Sequence, residues 1–208
     1  TKFKDKNYLT GVATDSHRLS SSSIEINSSS DFSSIILPRK TAFQLCNLLA
    51  ENPNKLVISL SENKIKFQIG KIILTSKVID GKFPDYQKVI PKDNDKSLLV
   101  PLNDFISSVE RVVSVSIDRK EGVKLDIHKG KLNLSVNSTN SGDGNEVIPA
   151  KYDYEEITIG FNSKYLLDIA SVIESKNIQL KFKNSTSPVL IHDNSDKDSF
   201  YVIMPMKI

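Results

Sequence analysis

Apolar and polar positions along the chain repeat in a fixed order of periods. From Lys40 to about Asn52, Ala42, Leu45, Cys46 and Leu49 fall at i, i+3, i+4 and i+7, the spacing of one helix face. This predicts a helix with those four residues packed inward, entered from a short apolar strand over residues 34–37. Alternation then takes over. Leu56, Ile58 and Leu60 alternate with polar residues, as do Ile65, Phe67 and Ile69, and an apolar run extends from Lys71 to Val78. Turn signals at Ser61-Glu62-Asn63 and near Gly70 separate three strands.

The same order returns twice. Residues 157–161 read as a strand, and a helix beginning near Asn162 or Ser163 carries Leu166, Ile169, Ala170 and Ile173 on one face. Strands over 178–182, 189–192 and 200–204 follow. Between these two copies lies a partial one. It has a strand over 98–100, a helix carrying Leu102, Phe105, Ile106, Val109 and Val113, and strands over 123–127 and 132–136. The repeating unit is strand, helix and three strands, about 45 to 50 residues long, which makes internal repetition the leading architectural signal. The fold class is α+β.

Residues 1–28 add two alternating segments, over 8–13 and 18–26, that read as the last strands of a further copy. The Ser-rich stretch is a strand followed by a loop over 28–34, because Ile24 and Ile26 alternate inside it. The best boundary is the segment 81–97, holding Pro84, Pro91 and the charged run Lys92-Asp93-Asn94-Asp95-Lys96. The expected domains are 1–87 and 88–208. The chain does not begin with Met, so a front portion of the protein is expected to precede it.

Composition narrows the function classes. With 28 Lys+Arg against 25 Asp+Glu the net charge is +3, too small for a uniformly basic nucleic-acid binder, so any such contact is confined to one face. Cys46, the single cysteine, cannot close an intrachain disulfide, and a packing role in a reducing, cytoplasmic compartment is expected. No apolar run reaches the roughly 18 residues of a membrane span, and residues 1–6 hold no apolar stretch of the signal-peptide kind.

Asp15, Ser16 and His17 invite a hydrolase reading, but a triad needs its members to converge from separated chain positions, and neighbours at a strand junction point apart. Nucleophile elbows, phosphate loops and metal-ligand spacings are missing, and His128 and His192 stand alone on alternating strands. A binding protein is favoured over an enzyme, with no cofactor or metal. Arg39 and Lys40 stand before the first helix, Arg111 lies in the second and Lys164 opens the third; together they could form a phosphate-facing surface that reads no sequence. The C-terminal Met204-Pro205-Met206 suggests an adaptable apolar surface. A β-rich binding domain for sugars or proteins is the runner-up. It would show an aromatic platform, and the chain has no Trp and only 7% aromatic residues.

Four stretches carry a specific resemblance: Ala13-Thr14-Asp15-Ser16-His17-Arg18-Leu19, Asp80-Gly81-Lys82-Phe83-Pro84-Asp85-Tyr86, Gly160-Phe161-Asn162 and Tyr201-Val202-Ile203-Met204-Pro205-Met206. In this order and spacing they resemble the bacterial DNA polymerase III beta subunit family, the sliding clamps, from the later part of the second clamp domain through the third.

The resemblance implies a DNA-clamp fold and a processivity factor with no catalytic site. Two subunits form a homodimeric ring around double-stranded DNA, independent of sequence, with helices lining the hole and sheets outside. It further implies a pocket for short linear motifs of the DNA polymerase III alpha subunit, the clamp-loader delta subunit, other polymerases and repair proteins. The matching positions are Thr14, Ser16, His17, Arg18, Leu19, Pro84, Lys88, Val89, Asn162, Tyr165, Pro188, Val202, Met204, Pro205 and Met206. Arg39 and Lys40 match a basic pair implicated in DNA contact; Arg111 and Lys164 rest on the helix argument alone. Ser16 stands where Gly is common, Lys88 and Lys207 where Arg is common, and Pro188 where Ser is common.

Overall fold

The computed structural model describes residues 2–3, 6–26, 34–115, 122–138 and 142–207. Two compact units divide the chain, one formed by 1–27 with 86–208 and the other by 28–85. Most of the loop expected over 28–34 lies outside the described residues.

In the smaller unit, helix α1 (Arg39–Glu51) precedes strands β4 (Leu56–Leu60), β5 (Lys64–Ile69) and β6 (Ile72–Lys77), which pair in that order as an antiparallel sheet. Ile65, Phe67 and Ile69 are its buried residues on β5, and α1 packs over that strand. The strand expected over 34–37 is reduced to a single bridge between Ile36 and Ile79. Cys46 is exposed, against expectation. The helix turns Thr41, Leu45 and Leu48 toward the sheet, with the Thr41 and Ser76 hydroxyls 2.8 Å apart. Cys46 sits one position, about 100°, around from Leu45.

The larger unit contains two interlocked repeats. The first comprises β7 (Lys96–Pro101), α2 (Leu102–Val113), β8 (Gly122–His128), β9 (Lys131–Ser138) and β10 (Gly142–Pro149). The second comprises β11 (Ile157–Asn162), α3 (Ser163–Ala170), β12 (Asn177–Phe182), β13 (Val189–Asp193) and β14 (Ser199–Ile203). Each repeat lends its first strand to the other's sheet: β7 pairs with β12, and β11 pairs with β8. The result is a four-stranded sheet in the order β10-β9-β8-β11 and a seven-stranded one. In the latter, β1 (Lys2–Phe3), β2 (Lys6–Thr14) and β3 (Arg18–Ile26) continue beyond β14 in the order β1-β2-β3-β14-β13-β12-β7.

Both helices pack between these sheets because their apolar stripes match two faces. α2 touches α3 and strands of each sheet, burying Leu102, Phe105, Val109, Val112 and Val113. Phe105, Phe161 and Phe182 are fully buried at the centre of one continuous core. Strand β10, which the sequence pattern does not reveal, runs so close to α2 that a methyl group on Gly144 would lie 2.7 Å from the carbonyl oxygen of Val112. Gly144→Ala is therefore expected to destabilise the fold by roughly 1 to 2 kcal/mol, because backbone must shift to admit the added carbon; urea unfolding measures it.

Candidate functional site

The turn between β2 and β3 is built by its own side chains. Asp15 Oδ1 accepts hydrogen bonds from the backbone N–H groups of His17 (3.1 Å) and Arg18 (3.0 Å), an Asx arrangement that closes a tight loop. The Thr14 hydroxyl donates to the Arg18 carbonyl at 2.8 Å. Ser16 takes a φ of 75°, a left-handed conformation that glycine adopts without steric cost. Ser16→Gly should accordingly raise stability by about 0.5 to 1 kcal/mol once side-chain strain and added chain entropy are balanced, an increase visible in thermal unfolding.

Pairing carries this turn to the C-terminal segment. Leu19 lies opposite Val202 and Arg18 opposite Ile203 across β3 and β14. Strand alternation splits these residues between two faces. Ile203 joins the main core, while Leu19 and Val202, 4% and 2% exposed, are buried outside it on the other face. Beyond β14 the chain stays tethered: the N–H of Met204 donates to the His17 carbonyl at 2.8 Å, and that of Met206 to the Gly160 carbonyl at 2.9 Å. Between those anchors the side chains of Met204 and Met206 remain 41% and 39% exposed, unbranched apolar groups able to repack against a visitor.

Helix α3 supplies the polar wall. Asn162 caps it, its side-chain oxygen accepting from the N–H of Tyr165. The Tyr165 ring stacks on His17, with centroids 6.3 Å apart, and lies under the Arg18 guanidinium, 4.3 Å from its centroid. Arg18 also donates from Nε to Asp15 at 3.1 Å and from Nη1 to Asp168 at 2.7 Å. Partial burial alone would lift the Asp15 carboxyl, but its two backbone donors and the guanidinium hold it below the usual carboxylate range. Desolvation would lower Arg18, and the Asp168 and Asp15 carboxylates more than offset it.

Of the residues singled out from the sequence, Thr14, Ser16, His17, Arg18, Leu19, Asn162, Tyr165, Val202, Met204, Pro205 and Met206 thus form one continuous patch. Pro188 precedes Val189, which pairs with Ile203, and its carbonyl accepts from Asn94 at 2.9 Å. Lys88 and Val89 belong to a short 3-10 turn, Tyr86–Val89, where Val89 is exposed. Pro84 is an exposed residue of the smaller unit. Asp168 escaped the sequence reading. Its signal was its place one turn beyond Tyr165.

The basic residues differ from one another. Arg39 and Lys40 open α1 and are exposed, with the Arg39 guanidinium 5.2 Å from the Phe43 ring centroid. Lys164 is exposed in the first turn of α3. Arg111, by contrast, is engaged twice by Glu146 of β10, and Ser108 shares the network. His128 does not stand alone: its Nδ1 lies 2.8 Å from Glu156. Burial, and secondarily Lys181, lower the pKa of half-buried His192. Asp15 and His17 are already occupied, by backbone and Arg18 and by Tyr165 respectively, in a geometry unlike a hydrolytic triad. Among the described residues no cluster of three His, Cys, Asp or Glu could hold a metal, and no helix is long and apolar enough to cross a membrane.

Comparison with known proteins places this geometry. The central-domain model of the DNA polymerase III beta subunit matches residues 2–85, and the C-terminal-domain model matches residues 87–207. The beta sliding clamp of Caulobacter vibrioides is 36% identical over 201 residues, 96% of this chain and 54% of that protein. The beta sliding clamp of Escherichia coli K12 is 34% identical over 200 residues, 96% of this chain and 55% of its own length. A sliding clamp from Bartonella birtlesii, solved bound to griselimycin, superposes with a TM-score of 0.93 at 42% identity, covering 97% of this chain and 55% of that one. The chain thus spans about half the length of the curated relatives it matches, and the expected α+β clamp fold is the one those structures share. Matched by both domain models along nearly its whole length, the chain belongs to the DNA polymerase III beta subunit family, the beta sliding clamps.

Proposed function

We propose that the protein containing this chain is a cytoplasmic DNA polymerase processivity factor. Two copies close around duplex DNA, and each tethers polymerases, the clamp loader and repair proteins by their short linear motifs. Residues 1–87 form the later part of its second domain and 88–208 its third. The observation that carries the tethering role is the patch where exposed Met204 and Met206 adjoin the buried Leu19–Val202 pair and the Arg18–Tyr165 wall. An apolar slot edged by a few directional polar groups suits a short peptide's anchoring side chains. The Bartonella clamp solved with griselimycin supports a ligand site in the family. Lys88, Val89 and Pro188, all of the larger unit, complete the same pocket in this reading. The alpha and delta subunits of DNA polymerase III are its expected partners.

The DNA-facing basic residues in this reading are Arg39 and Lys40 at the start of α1 in the smaller unit and, in the larger unit, Lys164 at the start of α3 and Arg111, whose charge Glu146 balances. Contacts of this kind neutralise phosphate without reading bases. Dimer closure uses an exposed sheet edge: among the described residues β10 has a partner on one side only, and its Val147 is 59% exposed. A free edge of this kind is a template for a further strand.

Titration calorimetry of this chain with a synthetic peptide carrying the clamp-contacting segment of the polymerase alpha subunit tests the pocket; saturable one-to-one binding is expected, and absence of heat up to millimolar peptide contradicts it. For the DNA surface, charge reversal at Arg39 and Lys40 in the full-length protein is expected to weaken equilibrium binding to short linear DNA, which the ring can leave by its ends. It should also reduce the log–log salt slope by about 2 while peptide affinity stays unchanged. An equal fall in peptide affinity would refute two separate surfaces.

A further inference from the structure

The guanidinium of Arg18 is fixed from three sides. Asp15 holds Nε from within its own turn, while Asp168 takes Nη1 at 2.7 Å and the Tyr165 ring lies 4.3 Å beneath. The last two supports come from α3, where positions three apart share a face, so one short helix presents both carboxylate and ring to a side chain 150 positions away in sequence. An unsupported arginine would have to be ordered by each arriving ligand; here that ordering precedes binding.

The charge count says what such an arginine recognises. Two carboxylates face one guanidinium, so the charge of Arg18 is already more than balanced by its direct partners. A ligand carboxylate therefore gains no net attraction. Arg18 retains N–H donors beyond those given to Asp15 and Asp168, and these suit an uncharged oxygen, a peptide carbonyl or a side-chain amide. We propose that Asp168 is a positioning residue of the pocket, holding the Arg18 fork on Tyr165 so that its remaining donors meet a neutral acceptor of the bound peptide. The inference rests on the peptide-pocket reading above.

A double-mutant cycle with the alpha-subunit peptide tests it. Arg18→Ala should weaken binding about tenfold and Asp168→Ala about fivefold, while the double variant should bind no worse than Arg18→Ala, because a residue acting through Arg18 has nothing left to position. Arg18→Lys should lose as much as Arg18→Ala within about twofold, since it keeps charge and loses the fork. Asp168 is exposed on its helix, so the variants should fold. Should an unfolding midpoint fall, the Arg18 Nε–Hε resonance decides: present in the unliganded wild type and broadened in Asp168→Ala if the aspartate does the positioning, unchanged if it does not. A full fivefold cost of Asp168→Ala in the Arg18→Ala background, or full affinity in Arg18→Lys, would overturn the proposal while leaving the pocket intact. No binding by the wild type would overturn the pocket itself and the proposal with it.

Discussion

Asp193→Ala is expected to destabilise the larger unit by about 1 to 3 kcal/mol, the cost of losing several part-buried hydrogen bonds that one carboxylate now accepts. Asp193 ends β13 and is only 4% exposed. Its Oδ2 accepts from the N–H of Glu174 at 2.7 Å, and its Oδ1 from the N–H and hydroxyl of Ser195 at 2.8 and 2.5 Å. One side chain thereby ties the loop after α3 to the loop before β14. Burial by itself would raise the carboxyl, but these donors outweigh it and hold the group far below the usual carboxylate range. Because the folded state binds this proton less readily than the unfolded chain, the contribution is fully present above about pH 4 to 5 and declines as pH falls below the unfolded value near 3.9. Urea unfolding at pH 7 and pH 3 should show the wild type losing more stability than Asp193→Ala. Equal losses would show that the carboxylate is not the acid-sensitive tie.

Met204→Ala is expected to weaken the alpha-subunit peptide by roughly 1 to 3 kcal/mol while leaving the fold unchanged, as for a central apolar contact of a small interface. Backbone placement of residue 204 depends on its N–H bond to His17 rather than on its side chain. Its 41% exposure leaves little core packing to lose. Binding and stability should therefore separate, the first falling in calorimetry while the unfolding midpoint holds. An unchanged affinity in the folded variant would remove Met204 from the pocket.

Periodicity identified the elements with strong stripes, and it failed where burial was set by something other than a stripe. The α2 face is apolar at every expected position, and the structure buries Leu102, Phe105, Val109 and Val113. In α1 apolar residues surround the helix: Phe43 is 59% exposed and Leu49 37%, so spacing could not choose between the face carrying Cys46 and the face carrying Thr41. Strand β10, reading Gly-Asp-Gly-Asn-Glu-Val-Ile-Pro, has almost no alternation; its conformation comes from pairing with β9 along its whole length, a tertiary cause. Nor does spacing reveal that the two repeats exchange their first strands. The site was legible through four motifs at mutual spacing, which is why the turn residues and the Met-Pro-Met segment emerged together. Asp168 did not, because a lone acid on an exposed helix position reads as solvated surface until the structure sets it 2.7 Å from Arg18. Arg111 is the reverse case, a basic helix residue that Glu146 engages.

The central claim, that this chain is part of a clamp held on DNA by encirclement, is tested most directly by loading the full-length protein onto nicked circular DNA with its clamp loader and then cutting the circle. The expected result is a protein–DNA complex that survives gel filtration in high salt while the DNA is circular and is lost when it is linearised. Retention that is unaffected by linearisation, or that vanishes with salt on the intact circle, would contradict topological linkage and leave only surface binding.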